Sequence, residues 1–432
     1  MTNTYADGPV RRVTGEKSGG EVLDSERASY SSEGPSLFWL AFRKMMLTIL
    51  TLGFHRFWMT THLRRHYWSA IRIKGDPFEY TGRGVEKLLG FLAALIILAL
   101  YLGTINLGLA FAGLFSANDI TELQIMLQLS LVAALPLMYF ATYRARRYVL
   151  ARTRWRGIRF GMDQAAWGYT WRALLLVLLT IVTLGLAYPY QHFRLQKYMI
   201  DRTWFGSLRF QQDGSWTTML GYWSWVYVVI AIIAAAFVAI ALDPENTTAI
   251  TVGIALAIFG YLAIFLVSIR YQVATFRYLW NNRTLGDARF RNDIDTGEVI
   301  GVYIGGSLAI GICSAILSSL FLAMLALVSY AILGDSEISR ILDFNALDPS
   351  EAQQAGYWVG LIGAAAGYLS VIAFAFIFAQ IFIVRPILRR KAEGMQIFNI
   401  SALANSHQRE HDEAAEAGGF ADALGVDVGA GF

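Results

Sequence analysis

Long apolar stretches alternate with short basic, aromatic stretches along most of this chain. Six apolar stretches, at about residues 88–114, 122–143, 219–242, 249–269, 299–333 and 356–384, can each form the helix of roughly 20 residues that crosses about 30 Å of hydrocarbon. None has an ionisable residue in its middle. Between them the period changes. Each basic stretch ends in a phenylalanine, at Phe78, Phe160, Phe210, Phe290 and Phe398, and a glycine precedes it by three or four positions, at Gly75, Gly157, Gly206, Gly286 and Gly394. Around that glycine apolar and polar residues alternate, as in Ile71, Ile73, Phe78 and Tyr80, which is the period of a half-buried strand. The pattern predicts a helix end followed by a small β-hairpin turned at glycine, five times over. An isolated hairpin is marginal in water. The five are therefore expected either to pair into a common sheet or to lie separately as ordered loops on the lipid headgroups.

The chain also repeats itself. Residues 47–78 recur without a gap at residues 179–210, and each copy opens on LTIxTLG, at Leu47 to Gly53 and Leu179 to Gly185. In the same register Trp39 falls on Trp171 and Phe78 on Phe210. A repeat that holds register this long is an architectural unit. The two segments around LTIxTLG, roughly 37–59 and 168–193, each resemble one further span. If both crossed, the basic elements would be split between the two membrane faces, against the rule that Lys and Arg gather on the cytoplasmic side. Each is expected instead to enter the membrane, break near Gly53 or Gly185 and return; eight plain spans are the alternative. The expected fold is thus an all-α polytopic membrane protein with six spanning helices, two re-entrant or interfacial segments and short cytoplasmic β-hairpins. Its divisions would be a disordered tail over 1–35, a first repeat unit over 36–166, a second over 167–296, a final span pair with hairpin over 297–400 and an acidic tail over 401–432.

Composition agrees with the hydropathy pattern. Of 432 residues, 56% are hydrophobic and only 16% charged, and mean hydropathy is +0.44. The net charge of +4 comes from clusters such as Arg144, Arg146, Arg147, Arg152, Arg154 and Arg156, or Arg270, Arg277, Arg283, Arg289 and Arg291. The loops on the other ends of the spans carry Asp119, Glu122, Asp243, Glu245, Asp335 and Glu337. This asymmetry puts both termini in the cytoplasm. Basic clusters that abut spans and lack a binding-fold signature do not read as a nucleic-acid surface. Cys313 is the single cysteine, so no intrachain disulfide forms, and no cleaved signal peptide is expected.

Catalytic patterns are missing from the sequence: it has no Gly-rich phosphate loop, no HExxH, no nucleophile elbow and no paired carboxylates in a span. No enzyme activity, cofactor or metal is expected. His55, His62 and His66 fall on one helical face, but no acidic or thiol ligand joins them and Arg64 and Arg65 oppose a cation. Arg43, Lys44 and Arg172 on the LTIxTLG segments, with Gly53 and Gly185 at the breaks, are the candidates for a cavity or for lipid contacts. Snorkelling to the headgroups is the commoner fate of such cations. Ser307, Gly311, Ala315 and Ser319 in the fifth stretch, and Gly360, Gly363 and Gly367 in the sixth, are small residues at helix-packing intervals.

The LTIxTLG phrase, the basic aromatic run from His62 to Trp68 and the stretch from Ile71 to Gly82 together resemble the YjgN-like family of bacterial inner-membrane proteins, catalogued as domain of unknown function 898. The likeness extends over roughly residues 35–400. It is weaker in the second copy, where Gln212 stands at the place of Tyr80. The resemblance implies a bacterial cytoplasmic membrane location and assigns no activity. Two functions compete on the residues themselves. One is a passive solute or lipid-handling transporter. The other is a non-catalytic scaffold, homo-oligomeric or not, whose cytoplasmic face docks a protein partner or anionic lipids.

Overall fold

The structure, a computed structural model, describes residues 24–31, 36–111, 120–243, 245–333 and 355–409. Its helices in chain order are α1 (Leu37–Leu50), α2 (Arg56–Ala70), α3 (Gly84–Phe111), α4 (Ile120–Ala151), α5 (Ala166–Val182), α6 (Tyr188–Ile200), α7 (Trp216–Leu242), α8 (Thr247–Asn281), α9 (Thr296–Leu333), α10 (Ala355–Ala379) and α11 (Arg385–Glu393). Six apolar helical segments, in α3, α4, α7, α8, α9 and the run from α10 through the π-helical turn Gln380–Val384 into α11, are long enough to cross a membrane. The chain is a multi-pass membrane protein. α4 and α8 continue beyond their apolar parts, so Arg144, Arg146, Arg147, Arg270 and Arg277 sit on helix rather than in loops.

Short strands follow the helices: β1 (Ser25–Arg27), β2 (Ser29–Tyr30), β3 (Ile71–Ile73), β4 (Asp76–Tyr80), β5 (Thr153–Trp155), β6 (Ile158–Met162), β7 (Thr203–Phe205), β8 (Leu208–Gln212), β9 (Arg283–Leu285), β10 (Ala288–Asn292) and β11 (Met395–Phe398). They form one antiparallel sheet in the order β1-β11-β10-β9-β8-β7-β6-β5-β4-β3-β2. Of the two expectations, a common sheet is the one realised. Four hairpins turn on two residues. Lys74-Gly75 and Arg156-Gly157 have positive φ at both positions, the type I′ pattern, whereas Gly206 and Gly286 have it at the first central position alone, the type II′ pattern. That shift of one position explains why glycine lies three residues before Phe78 and Phe160 but four before Phe210 and Phe290.

The two ends of the strand order are halves of a single segment. β1 pairs with β11 and β2 pairs with β3, and only Ala28 separates them. Ala28 N–H donates to Met395 O at 2.9 Å and Ser31 N–H to Ala70 O at 2.8 Å, so the sheet closes on itself. β11 and β3 are each thereby covered by one half of that segment. Closure also corrects three expectations. Residues 25–30 are strand, not part of a disordered tail over 1–35. The fifth element is a single strand after Gly394, because the N-terminal segment supplies the partner that a hairpin would have supplied. Ile397 rather than Phe398 lies opposite Phe290 and is buried, so the sequence alignment of that element was one residue out.

One face of the sheet is buried and concave. Strands two apart in a sheet lie about 9.5 Å from each other. The ring centroids of Phe78 and Phe160, Phe160 and Phe210, and Phe210 and Phe290 nevertheless lie 6.1, 6.5 and 6.0 Å apart. The side chains therefore converge inward as an aromatic ladder, joined by Trp155 and Phe205 at 5.7 Å. Trp204 points the other way, and Gly161 is its partner across the ladder: a Cβ at Gly161 would meet the indole at 2.0 Å.

The chain divides into two compact units, one of residues 1–31, 68–296 and 391–432 and the other of residues 32–67 and 297–390. All eleven strands belong to the first. The second holds α1, most of α2, α9 and α10. The boundaries read from the repeat, 36–166, 167–296 and 297–400, are not those along which the chain packs. At the C-terminal end the 3₁₀ turn Ile400–Asn405 leads to Ser406, whose Oγ donates to Phe205 O at 3.0 Å, and Gln408 Oε1 accepts from Arg159 N–H at 3.0 Å. Residues up to Arg409 are thus held against the ring, and the remainder of the expected acidic tail, like residues 1–23 and 334–354, lies outside the described residues.

Candidate functional site

The two LTIxTLG segments fold alike, hydrogen bond for hydrogen bond. α1 and α5 end at Leu50 and Val182, with Thr51 and Thr183 as their C-caps. Leu52 and Leu184 then take left-handed φ of 50° and 49°, followed by Gly53 and Gly185 at 94° and 89°. Gly53 N–H reaches back to Thr48 O and Gly185 N–H to Thr180 O, both at 2.7 Å, while Leu52 and Leu184 donate to Ile49 and Ile181, each at 3.0 Å. This is a Schellman cap with leucine at the left-handed C′ position. The threonine completes it. Thr51 Oγ1 donates to Leu47 O at 2.7 Å and accepts from His55 N–H at 2.9 Å; Thr183 Oγ1 donates to Leu179 O at 2.8 Å and accepts from Ala187 N–H at 3.1 Å. Phe54, Arg56, Leu186 and Tyr188 donate to backbone carbonyls, so every N–H from 51 to 56 and from 183 to 188 is satisfied within the turn.

The tips of both turns are apolar and uncovered. Leu52 is 92% exposed and Leu184 86%, with Leu50, Phe54, Val182 and Leu186 beside them. α1 has 14 residues and α5 has 17, or about 21 and 26 Å at 1.5 Å per residue, short of a bilayer core. After the second tip the chain comes back: Thr180 Oγ1 donates to Gln191 Oε1 at 2.7 Å, and Tyr198 OH, near the end of α6, donates at 3.2 Å to Ala165 O, just before α5 begins.

The sequence-derived candidates are scattered rather than gathered. Arg43 on α1 is exposed, and a Cβ at Gly53, in the turn after α1, would meet nothing within 4 Å. Lys44 contributes its carbonyl to Thr48 Oγ1 at 2.8 Å. Gly185 lies against Tyr227, whose hydroxyl donates to Leu184 O at 3.0 Å. Arg172 donates to Gly168 O at 2.8 Å and lies 4.8 Å from the centroid of Tyr198. In α9 the stripe Ser307, Gly311, Ala315 and Ser319 is exposed, and the buried stripe is one residue earlier, at Gly306, Ser314 and Ser318. One residue is about 100° around a helix. Gly306 packs against the π-helical turn at Phe382 and Ile383, and Gly367 against Leu322. Gly363 has open space, and Gly360 lies in the part of α10 whose burial is not described. His62 Nδ1 is engaged by Trp58 O at 2.7 Å, and among the described residues no three His, Cys, Asp or Glu side chains gather as a metal site would require.

Polar chemistry concentrates elsewhere, in the inward row of the ring nearest the helices. Gln212 and Asn292 are fully buried and Arg283 is 5% exposed. Gln212 Nε2 donates to Leu279 O, Asn282 O and Asp213 O at 3.0–3.1 Å, and its Oε1 accepts from Arg283 Nε at 3.2 Å. Asp201 Oδ1 accepts from Gln212 N–H at 2.8 Å, and Lys197, 3.2 Å from Asp201, donates to Gln212 O. Asn292 binds Asn281, Ile294 and Lys391 O at 2.6–3.0 Å. The Arg283 guanidinium carbon lies 4.0 Å from the Trp280 ring centroid. Burial first, and the charge of Arg146 second, push the Arg283 guanidinium well below its ordinary pKa. In the sequence Arg283 is one member of the basic cluster from Arg270 to Arg291. Alternation back from Leu285 puts it on the inward face, and Gln212 at the place of Tyr80 marks the same layer.

One family matches the chain: the family described as bacterial protein of unknown function (DUF898), over residues 25–423. No curated protein and no solved structure matches it. The cap geometry carries its own test. Gly185→Ala should lower stability by about 1–2 kcal/mol through left-handed strain, and by more than Gly53→Ala, because only the former crowds the Tyr227 hydroxyl at 3.0 Å. Thermal unfolding of the two variants in detergent checks the order; equal midpoints with the parent would contradict it.

Proposed function

The chain belongs to the DUF898 family of bacterial proteins, and on that footing we propose that it resides in the cytoplasmic membrane and handles solutes or lipids passively, without an enzymatic step. The observation that carries this reading is the pair of apolar tips whose N–H groups are all hydrogen-bonded within the turn. An N–H left without a partner is costly in hydrocarbon, and irregular backbone at depth is shielded by protein or lines a wet cavity. Leucine-tipped turns that expose no N–H suit hydrocarbon and would cost apolar exposure in water. α1–α2 and α5–α6 are therefore read as re-entrant hairpins, with the strand ring, both termini and the basic helix ends on the cytoplasmic side.

A second reading draws on a different observation. The outward positions of the ring carry Arg72, Arg154, Arg159, Arg209, Arg289 and Arg291, a face suited to anionic headgroups or an acidic partner, so a non-catalytic scaffold is the competing function. Reconstitution separates the two. Proteoliposomes should exchange a fluorescent lipid analogue or release a small entrapped solute faster than protein-free vesicles; no acceleration of either would leave the scaffold. The topology has a separate check. With Cys313→Ser as background, Ser69→Cys and Ser207→Cys should both react with an impermeant maleimide from the cytoplasmic side, and modification from opposite sides would remove the re-entrant hairpins.

A further inference from the structure

The helix end of the ring holds positive charge that the fold does not neutralise. Arg283 is held at one edge only. Its Nε is spent on Gln212, its plane rests on Trp280, and its two terminal nitrogens have no hydrogen-bond partner among the described residues. No carboxylate lies within ion-pair distance of it there. Arg146, on α4, is the second such cation: its Nε is buried without a partner. Lys391 is the third, with its Nζ 4.5 Å from the centroid of Phe276. Phe276 in turn lies 6.2 Å from Trp280, so the ammonium and the guanidinium rest on adjoining rings one turn apart on α8. Neighbouring α4 is tied to the same row by Arg147 Nε, which donates to Met162 O at 3.0 Å.

Burying a cation is costly unless it is paired, and gathering several compounds the cost. Ring faces and one amide oxygen offset part of it. A guanidinium oriented through Nε presents its remaining N–H groups as a fork, the geometry that clasps a phosphate or carboxylate oxygen pair. We propose that Arg283, assisted by Arg146 and Lys391, binds a phosphate-class oxyanion at the membrane end of the strand ring, either a free phosphate or the phosphodiester of a lipid headgroup. The inference concerns binding and not passage. Flux without phosphate binding would sink it and leave the transport reading, and binding without flux would do the reverse.

The test uses the full-length protein. In detergent at constant ionic strength, inorganic phosphate titrated against chloride should bind saturably and raise the thermal midpoint. Arg283→Gln should weaken that binding at least tenfold, Arg283→Lys should restore part of it, and Lys74→Gln, in the turn at the far end of β3 where Lys74 pairs with Asp24, should leave it unchanged. If Arg283→Gln does not fold, Arg146→Gln and Trp280→Phe take its place with the same expected direction. For the lipid source, nanodiscs of phosphatidylglycerol diluted into phosphatidylcholine are compared by native mass spectrometry: retention of phosphatidylglycerol that Arg283→Gln abolishes supports a headgroup, and saturable inorganic phosphate alone supports a free anion. Absence of both in the parent protein, or binding that is equal in parent and Arg283→Gln, overturns the site. An arginine that only props up the fold would change the midpoint without making it depend on phosphate.

Discussion

Backbone pairing between neighbouring strands governs the topology of this protein. β2 and β3 are hydrogen-bonded to each other, and so are β6 and β7, yet each pair is the point of departure and return of one LTIxTLG segment. Two strands joined by N–H to carbonyl bonds cannot lie on opposite sides of a bilayer. A segment that leaves from one and comes back to the other must therefore cross an even number of times or not at all. The same argument covers α3 with α4 and α7 with α8, which connect β4 to β5 and β8 to β9, again hydrogen-bonded neighbours. This pairing supports the re-entrant proposal over eight spans, independently of where the arginines lie.

The constraint passes to the turns. A helical hairpin too short to span has to reverse somewhere, and water is absent at depth to satisfy the reversal. In the proposed re-entrant placement, LTIxTLG satisfies the N–H groups of that reversal within the turn. The threonine hydroxyl closes the helix end and starts the next turn, the glycine supplies a left-handed residue at low cost, and the preceding leucine accepts the strained conformation with its side chain outward. Thr51 and Thr183, with Gly53 and Gly185, carry the residue-specific tasks of the phrase, while Leu47, Thr48 and Ile49 and their counterparts lend backbone carbonyls to the turn.

Much of the architecture was legible in the sequence, and the failures have physical causes. Apolar length located the six long helices, and alternation with glycine located four hairpins. The strand Ser25–Tyr30 escaped because SERASY has no apolar face of its own; it is specified by the open edges it fills, which only the folded ring presents. Phe398 was misaligned because the fifth element has no turn to fix its register. In α9 small side chains occur on two adjacent faces, and within the chain burial falls on the face of Ser314 and Ser318. The buried layer around Arg283 was hidden by charge itself. A lone arginine in a basic run reads as solvated, and its inward position depends on a register that closure of the ring determines.

Closure of the ring by residues 25–30 is the claim from which the rest follows, and cross-linking measures it directly. In a Cys313→Ser background, the outward-facing pairs Ser29→Cys with Arg72→Cys and Arg27→Cys with Gln396→Cys occupy directly opposed positions at the two sides of the closing segment, where antiparallel partners lie about 4.5–5.5 Å apart, within disulfide reach. Mild oxidation should form both disulfides, separately and together in one chain. Formation of only one, with the other pair remaining reduced, would mean an open sheet and would contradict the account.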